Sequence, residues 1–258
     1  MSLSKEQQTE LTRVAVFAGQ ILHQHGAESR LIEQTTQRIG LALGADNVEL
    51  SISPDAIVIT SLVNGHCVTT TRRCHDRGIN MQMVCDVQRI CVMVEKQLLD
   101  AKEVKKRLQR LKPFKHNRWL VVLMIGFSCA SFSHFFGGDR AAYWVTFVAA
   151  CLAMILRQEL AHRQHNPFVN FAAAAFVATI ITSVGVIFEA GENPQIAMAA
   201  SVLLLVPGFP LINAVSDMLK GHINMGIARW VFSTLLAISV SIGIVAAMTV
   251  IGVSGWTN

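Results

Sequence analysis

The sequence predicts two parts of different fold class: an α+β soluble N-terminal domain and, after it, an all-α transmembrane bundle of about five helices. The 258-residue chain is 52% hydrophobic, and its mean hydropathy of +0.44 is too high for an ordinary soluble protein. Charge is uneven, because residues 1–118 carry 17 of the 22 Lys and Arg and 12 of the 17 Asp and Glu. Long apolar runs follow that charged part, so we place the domain boundary near residue 115, with a domain over 1–115 and a transmembrane part over 116–258.

The first part shows the periods of short helices and strands. Apolar residues first recur at helical spacing, and the period then changes to two, as in strands. Asn64-Gly65 is a strong signal for a type I′ hairpin, and Pro113 ends the last helical pattern. The predicted elements are helices over 4–25, 28–43, 80–100 and on to 111, and strands over 48–52, 57–63 and 66–71. We expect about three short strands packed against these helices.

Five apolar stretches in the second part have lengths near the 20 residues or so that cross a bilayer. They are 119–136, 141–156, 168–188, 196–215 and 226–253. The second stretch has 16 residues, which leaves open a core helix or a re-entrant segment, although its neighbours favour a span.

The positions of Lys and Arg predict the orientation of these spans. A basic cluster over 102–118 precedes the first span, and the loops at 157–163 and 220–229 are also basic. Because such loops stay on the cytoplasmic side, we expect a cytoplasmic N-terminal domain and, after five crossings, a periplasmic C-terminus. Residues 1–10 are polar and do not resemble a signal peptide. The basic cluster has few interleaved aromatic residues, so it favours anionic membrane lipids over nucleic acid.

The fourth stretch contains the segment Leu205-Val206-Pro207-Gly208-Phe209-Pro210. Two prolines and a glycine in the middle of a span predict a broken helix. Broken helices at membrane depth are tolerated where they line a cavity, and the N-terminus of a half-helix carries partial positive charge. The half-helix that begins near Pro210 is therefore a candidate site for a carboxylate. A simple proline kink without a ligand is the alternative.

Polar residues follow the break at helical spacing and suggest a binding site. Asp217 and Arg229 could form a gate or contact substrate, since Arg suits bidentate recognition of carboxylates. Ionisable groups at the inner end of a span can also simply mark the membrane interface. The candidate substrate-binding residues are Pro207, Gly208, Pro210, Asn213, Asp217 and Arg229. On the third span, Asn170, Thr179, Thr182 and Ser183 fit either a polar path or helix packing.

Other kinds of site have weaker support. Two Cys-His pairs, His66-Cys67 and Cys74-His75, could be zinc ligands, but their spacing is unusual for a zinc finger, and buried thiols are the simpler interpretation. We expect no metal and no cofactor. The sequence has no GxSxG, HExxH or Walker motif, so we expect no enzyme. A membrane enzyme using the serines near His134 remains an alternative, as does a membrane-tethered sensor or scaffold.

These residues also resemble a known family. Residues 26–33 (Gly-Ala-Glu-Ser-Arg-Leu-Ile-Glu), the hairpin domain, and the Pro-Gly segment with Asp217, Gly221, Gly226 and Arg229 after it are similar to the threonine/serine exporter (ThrE) family. The resemblance covers essentially the whole chain. Within residues 26–33, the charged side chains Glu28, Arg30 and Glu33 are also typical of an exposed helix face.

The resemblance implies export of a small metabolite without ATP across a bacterial inner (plasma) membrane. Larger members of the family look like ten-span proteins, so a domain with five spans implies half a transporter. A YjjB-like second membrane subunit is the expected partner, and a split system of this kind is associated with succinate export. Threonine or serine is the alternative substrate. The implied mechanism is alternating access, with protons as the expected coupling ion.

Overall fold

The computed structural model describes residues 4–187 and 194–252. The chain divides into two compact units. Unit 1 is described over 4–114 and 209–230, and unit 2 over 115–187, 194–208 and 231–252. The predicted combination of a small sheet with apolar helices is confirmed.

Unit 1 begins with four helices and three strands, and side-chain caps mark several helix starts. Ser4 and Gln7 form a capping box at the start of the first helix, and Asn80 caps the third. The elements are α1 (Lys5–Gln24), α2 (Ser29–Ala42), β1 (Asn47–Ile52), β2 (Ala56–Val63), β3 (His66–Arg73), α3 (Met81–Glu95) and α4 (Ala101–Arg110).

The three strands form an antiparallel sheet in the order β1-β2-β3. Asn64 (φ +49°) and Gly65 (φ +78°) make the β2–β3 turn, as the Asn-Gly signal predicted. Along β2, alternate side chains beginning at Ile57 are buried, and they join the core that α1, α2 and α3 cover. Among the described residues β3 pairs with β2 only, so β3 is an edge strand.

One helix ends earlier than the sequence pattern suggests. We expected helix through residue 100, but α3 ends at Glu95. Gln97 adopts a left-handed conformation (φ +56°), which stops a helix. Asp100 then accepts a hydrogen bond from the Glu103 N–H at 2.7 Å and begins α4.

The described elements after residue 115 are all helices, and their bounds lie close to the predicted apolar stretches. They are α5 (Arg118–Phe135), α6 (Arg140–His162), α7 (Pro167–Ile187), α8 (Pro194–Val202), a 3₁₀ turn (Leu203–Leu205), α9 (Gly208–Leu219) and α10 (Ile223–Ile251). Of these, α9 from Phe209 and α10 up to Trp230 belong to unit 1.

In the described part of the chain, four helices are long and apolar enough to cross a membrane: α5, α6, α7 and α10. The pair α8 and α9, interrupted at residues 206–207 and bent by 56°, is a fifth candidate if the two helices count as one. The stretch that looked short from sequence is part of the 23-residue α6.

Side chains in unit 2 are arranged with small residues inside and large apolar residues outside. A buried cluster contains Ala153, Ala174, Ala175 and Ala178 with Leu205 and Val240. Gly243 of α10 lies against the backbone of α7 at Ala172. Small residues that bring helix backbones together are typical of helix packing in membranes.

Candidate functional site

The predicted break in the fourth apolar stretch is confirmed. After the 3₁₀ turn Leu203–Leu205, Val206 is extended (φ −68°, ψ 123°), and α9 begins at Gly208. The half-helix thus begins two residues before Pro210. The position of Pro210 in the first turn explains this, because a proline there breaks no intrahelical hydrogen bond.

The first turn of α9 offers few backbone donors. The Gly208 N–H donates to the Val206 carbonyl at 2.8 Å, and Pro210 has no N–H. A carboxylate held by the start of this helix would therefore rely mainly on the backbone N–H of Phe209. Asp217 lies nine residues further along α9, about 14 Å at the helical rise, so one small carboxylate group cannot contact both places.

Asp217 is completely buried and accepts three hydrogen bonds from described residues. Its Oδ1 accepts the backbone N–H of Ser29 at 2.9 Å, and its Oδ2 accepts the Ser29 hydroxyl at 2.9 Å. Oδ2 also accepts from Arg229 Nη1 at 2.8 Å. The carboxylate is thus paired with a cation and satisfied by hydrogen bonds, as a buried charge requires.

Two other predicted residues contact the connection between α1 and α2. Arg229 Nη2 donates to the Ala27 carbonyl at 2.8 Å, and Asn213 Nδ2 donates to the Gly26 carbonyl at 3.0 Å. We call Ser29, Asn213, Asp217 and Arg229 the Asp217 cluster. Through it, α9 and the start of α10 are fastened to residues 26–29.

The cluster completes the N-terminus of α2. The N-cap residue Glu28 makes no capping hydrogen bond with its side chain, so the first N–H of α2, that of Ser29, is left for Asp217. A negative charge at this position is stabilised by the helix dipole as well as by the hydrogen bond. Asp217 therefore does for α2 what a capping side chain does in other helices, from a position 188 residues away.

A second layer of contacts surrounds the cluster. Lys220 pairs with Glu28, and His222 Nε2 lies 3.3 Å from Glu33 Oε2. The His222 N–H donates to the Asp217 carbonyl at 2.8 Å. Glu28 and Glu33 thus hold the α9–α10 connection and are not simply an exposed helix face, whereas Arg30 is exposed.

Sequence reasoning found three members of the cluster and missed Ser29. Ser29 lies within residues 26–33, the segment that carries the family resemblance. A serine at a helix start is usually interpreted as a cap for its own helix. Here its hydroxyl instead donates to a carboxylate in α9. A hydroxyl and a carboxylate so far apart in sequence give no local signal.

His23 is a half-buried titratable group at the end of α1 near the cluster. Its Nε2 lies 3.1 Å from the Ser53 carbonyl, and its buried Nδ1 has no hydrogen-bond partner among the described residues. Burial lowers the pKa of His23 below its ordinary value of 6.5, and the positive charge of Arg229 lowers it further. The neutral imidazole is therefore the form that the fold favours.

The possible zinc ligands lie at opposite ends of β3. Cys67 is near its start and Cys74 follows its end, about 23 Å apart at the rise of an extended strand. Burial raises the pKa of Cys74 to about 11, so its thiol stays protonated at neutral pH. Among the described residues there is no group of three or more His, Cys, Asp or Glu that could hold a metal ion.

The polar residues of α7 are buried within unit 2. Asn170 Nδ2 donates to the Arg157 carbonyl at 3.1 Å, and the Thr182 hydroxyl donates to the Ala178 carbonyl at 3.0 Å. The hydroxyls of Thr179 and Ser183 have no partner in the described part of the chain. Packing and a polar path both stay predictions for these residues.

The sequence matches a family model described as "Putative threonine/serine exporter" over residues 13–251. That match covers both units and every member of the Asp217 cluster. The chain belongs to the threonine/serine exporter family. The description of that family indicates a transport role.

Curated relatives agree with the family match. The chain is 51% identical over 257 residues to a protein of Klebsiella aerogenes named "Probable succinate transporter subunit YjjP", covering 99% of this chain and all of the relative. It is 49% identical over 255 residues to the protein of that name from Escherichia coli K12, covering 98% of this chain and all of the relative. A Haemophilus influenzae protein named "Uncharacterized protein" is 50% identical over 137 residues, which are 53% of this chain and 46% of that one. No solved structure matches the chain.

Proposed function

We propose that this protein is a subunit of a secondary exporter that moves a small carboxylate metabolite, with succinate favoured, out of the cell across the inner membrane. The observation that carries the proposal is a sequence identity of 51% and 49% to two relatives that are named as probable succinate transporter subunits. Each match covers the full length of the relative. The word subunit in those names supports a partner, and a YjjB-like second membrane protein is the one we propose.

Membrane placement is part of the proposal. In it, α5, α6, α7, the interrupted pair α8 and α9, and α10 form five spans. Large apolar side chains on the outside of unit 2, such as Trp144, Leu152 and Ile242, suit contact with lipid. The basic residues over 102–118 support a cytoplasmic position for α1 to α4, with the C-terminal end of α10 on the periplasmic side.

In this proposal the Asp217 cluster acts as a latch. Its contacts hold residues 26–29 against α9 and α10, and a substrate carboxylate can break them. Arg229 is the cation in the cluster, and it donates hydrogen bonds to two oxygen acceptors, Asp217 Oδ2 and the Ala27 carbonyl. A substrate carboxylate is chemically equivalent to the Asp217 carboxylate, so it can exchange with it at Arg229. Exchange would break the bond between Arg229 and Asp217, the residue that holds Ser29, which couples substrate entry to movement of the cytoplasmic residues 26–29.

Pro207, Gly208 and Pro210 have a different role in the proposal from that of Asn213, Asp217 and Arg229. The first three interrupt the span and give the half-helix its start, whereas the second three bind residues 26–29. The proposed substrate-binding group is Arg229, with Asn213 as a neutral donor beside it. Protons are the proposed coupling ion.

The test is efflux of labelled succinate and threonine from cells that express this chain with and without a YjjB-like partner. Asp217→Asn and Arg229→Gln should each lower succinate efflux at least about tenfold, because each removes one charge of the pair. Pro207→Ala tests whether efflux depends on the interruption between α8 and α9. Arg89→Gln is the matched control, since Arg89 is exposed and its ion pair among the described residues is with Asp86, three residues away in α3.

Two outcomes distinguish the alternatives. Efflux of threonine or serine without succinate would favour an amino-acid exporter subunit, which the name of the family itself suggests. Unchanged efflux in the Asp217 and Arg229 variants, at matched membrane levels, would remove the latch from the mechanism and favour a sensor or scaffold role for the cytoplasmic part.

A further inference from the structure

Unit 1 contains a wide groove whose lining residues do not belong to the Asp217 cluster. Its volume is about 1110 Å³, at or above the upper range of pockets that hold small molecules. The residues that line it come from α1, β3 and α4.

The floor of the groove is polar where the fold would ordinarily be apolar. Directly opposite residues of an antiparallel pair point to the same face of a sheet. Arg72 is opposite the buried Ile57, and Thr70 is opposite the buried Ile59. Both therefore point to the helix-covered face, where apolar residues would extend the core. Polar residues at such positions are a departure that functional sites typically show.

Two glutamines fix the wall that α1 forms. Gln8 Nε2 donates to the His66 carbonyl at 2.8 Å, near the start of β3. Gln20 Nε2 donates to the Arg73 carbonyl at 2.6 Å, at its end. Between these two attachments, Thr9, Arg13 and Phe17 follow one another at four-residue spacing and face the groove. The groove is thus built by defined contacts at both ends.

Four cations converge on the groove from three elements: Lys5 and Arg13 of α1, Arg72 of β3 and Lys105 of α4. Within the ranges that the structure describes, none of the four side chains forms an ion pair or a hydrogen bond. Glu6 and Glu10 are the only carboxylates among the lining residues, so the groove carries an excess of two positive charges. Cations that face one concavity without partners favour an anion there.

We infer that this groove binds an organic polyanion of nucleotide size from the cytosol. Phosphate groups would pair with Arg13, Arg72 and Lys105, since guanidinium groups suit bidentate contacts with phosphate. Glu10, Thr70 and Gln109 supply acceptors and donors for hydroxyl and amino groups of the ligand. The half-buried ring of Phe17 gives a surface on which a base can stack. This inference is independent of the exported substrate.

The test uses the purified full-length protein in a neutral detergent, with ATP as the probe and binding measured by calorimetry. We expect saturable binding that weakens about tenfold in Arg13→Gln and in Arg72→Gln, because each loses a charge-assisted contact. Arg89→Gln, which removes an exposed arginine from α3, should leave the dissociation constant within about twofold. Binding should also weaken as the salt concentration rises.

Three results would overturn the inference. ATP that does not bind, or that binds equally to all the variants while their melting temperatures match that of the wild type, would exclude the groove as its site. Succinate that competes with ATP at equal concentration would exclude the nucleotide-sized ligand. If nanodiscs of phosphatidylcholine permit ATP binding and added phosphatidylglycerol abolishes it, the ligand is a lipid headgroup and not a free metabolite.

Discussion

At Asp217, a carboxylate with no exposed surface is held by a hydroxyl, a backbone N–H and a guanidinium. Such a pair adds little stability relative to an apolar core, but the removal of one partner leaves the other charge buried without compensation. The residue therefore constrains the fold strongly even though its own net contribution to stability is small. The same hydrogen bonds explain why Asp217, which the sequence predicted to bind substrate, also holds residues 26–29.

We expect Asp217→Asn to lower the free energy of unfolding by about 3–5 kcal/mol, because Arg229 then lies buried opposite a neutral amide. Thermal unfolding of the purified protein measures this. Glu95→Gln is the control, since it breaks the exposed pair with Arg38 and should cost less than about 1 kcal/mol. Equal losses in the two variants would contradict the buried geometry.

His23 makes stability depend on pH in a defined direction. Because burial lowers its folded-state pKa below 6.5, the unfolded chain binds more protons between the two pKa values. The contribution to stability is complete above pH 6.5 and is lost as the pH falls through the folded-state pKa. His23→Gln should therefore reduce the change in melting temperature between pH 7.5 and 5.5. His75→Gln, measured in the same way, is the control. A wild-type melting temperature that rises on acidification would oppose this account.

At the scale of elements, local signals were sufficient wherever a structure is specified by neighbouring residues. The Asn64-Gly65 turn and the interruption at Pro207 follow from backbone conformations that a few residue types require or exclude. The end of α3 was missed because Gln97 in a left-handed conformation looks like any other helix residue in sequence. The groove was missed because Arg72 and Thr70 alternate like ordinary exposed strand residues until their register with β2 is known.

The contact between α7 and α10 depends on Gly243. A Cβ atom at this position would overlap the Ala172 carbonyl oxygen and approach the Ala175 Cβ at 3.1 Å. Because the first obstacle is backbone, Gly243→Ala should destabilise unit 2 by about 1–3 kcal/mol. The yield of folded protein and its melting temperature should both fall, whereas Ser241→Ala on the exposed side of α10 should leave both nearly unchanged. A Gly243→Ala protein as stable as the wild type would mean that the helices separate easily.

For the whole molecule, the proposed topology sets which residues a reagent outside the cell can reach. We expect a cysteine introduced by Arg140→Cys, at the start of α6, to react with a membrane-impermeant maleimide in intact cells. A cysteine introduced by Lys115→Cys, before α5, should react only after the membrane is opened. Both positions are exposed in the structure, so burial does not explain a difference. Reaction of Lys115→Cys in intact cells would contradict the proposed orientation and favour the opposite one.

The separation of Ser29 and Asp217 along the chain also has a consequence for biosynthesis. At roughly 5–20 residues per second, the 188 residues between them take about 10–40 seconds to synthesise. During that interval α1, α2 and the sheet have left the ribosome, but the first turn of α2 still lacks its carboxylate. Unit 1 is thus completed only after α9 has been made, when the long apolar helices α5 to α7 have already been synthesised. A chain truncated before α9 should therefore expose residues 26–29 to proteolysis, which gives the cell a physical basis for removing incomplete copies.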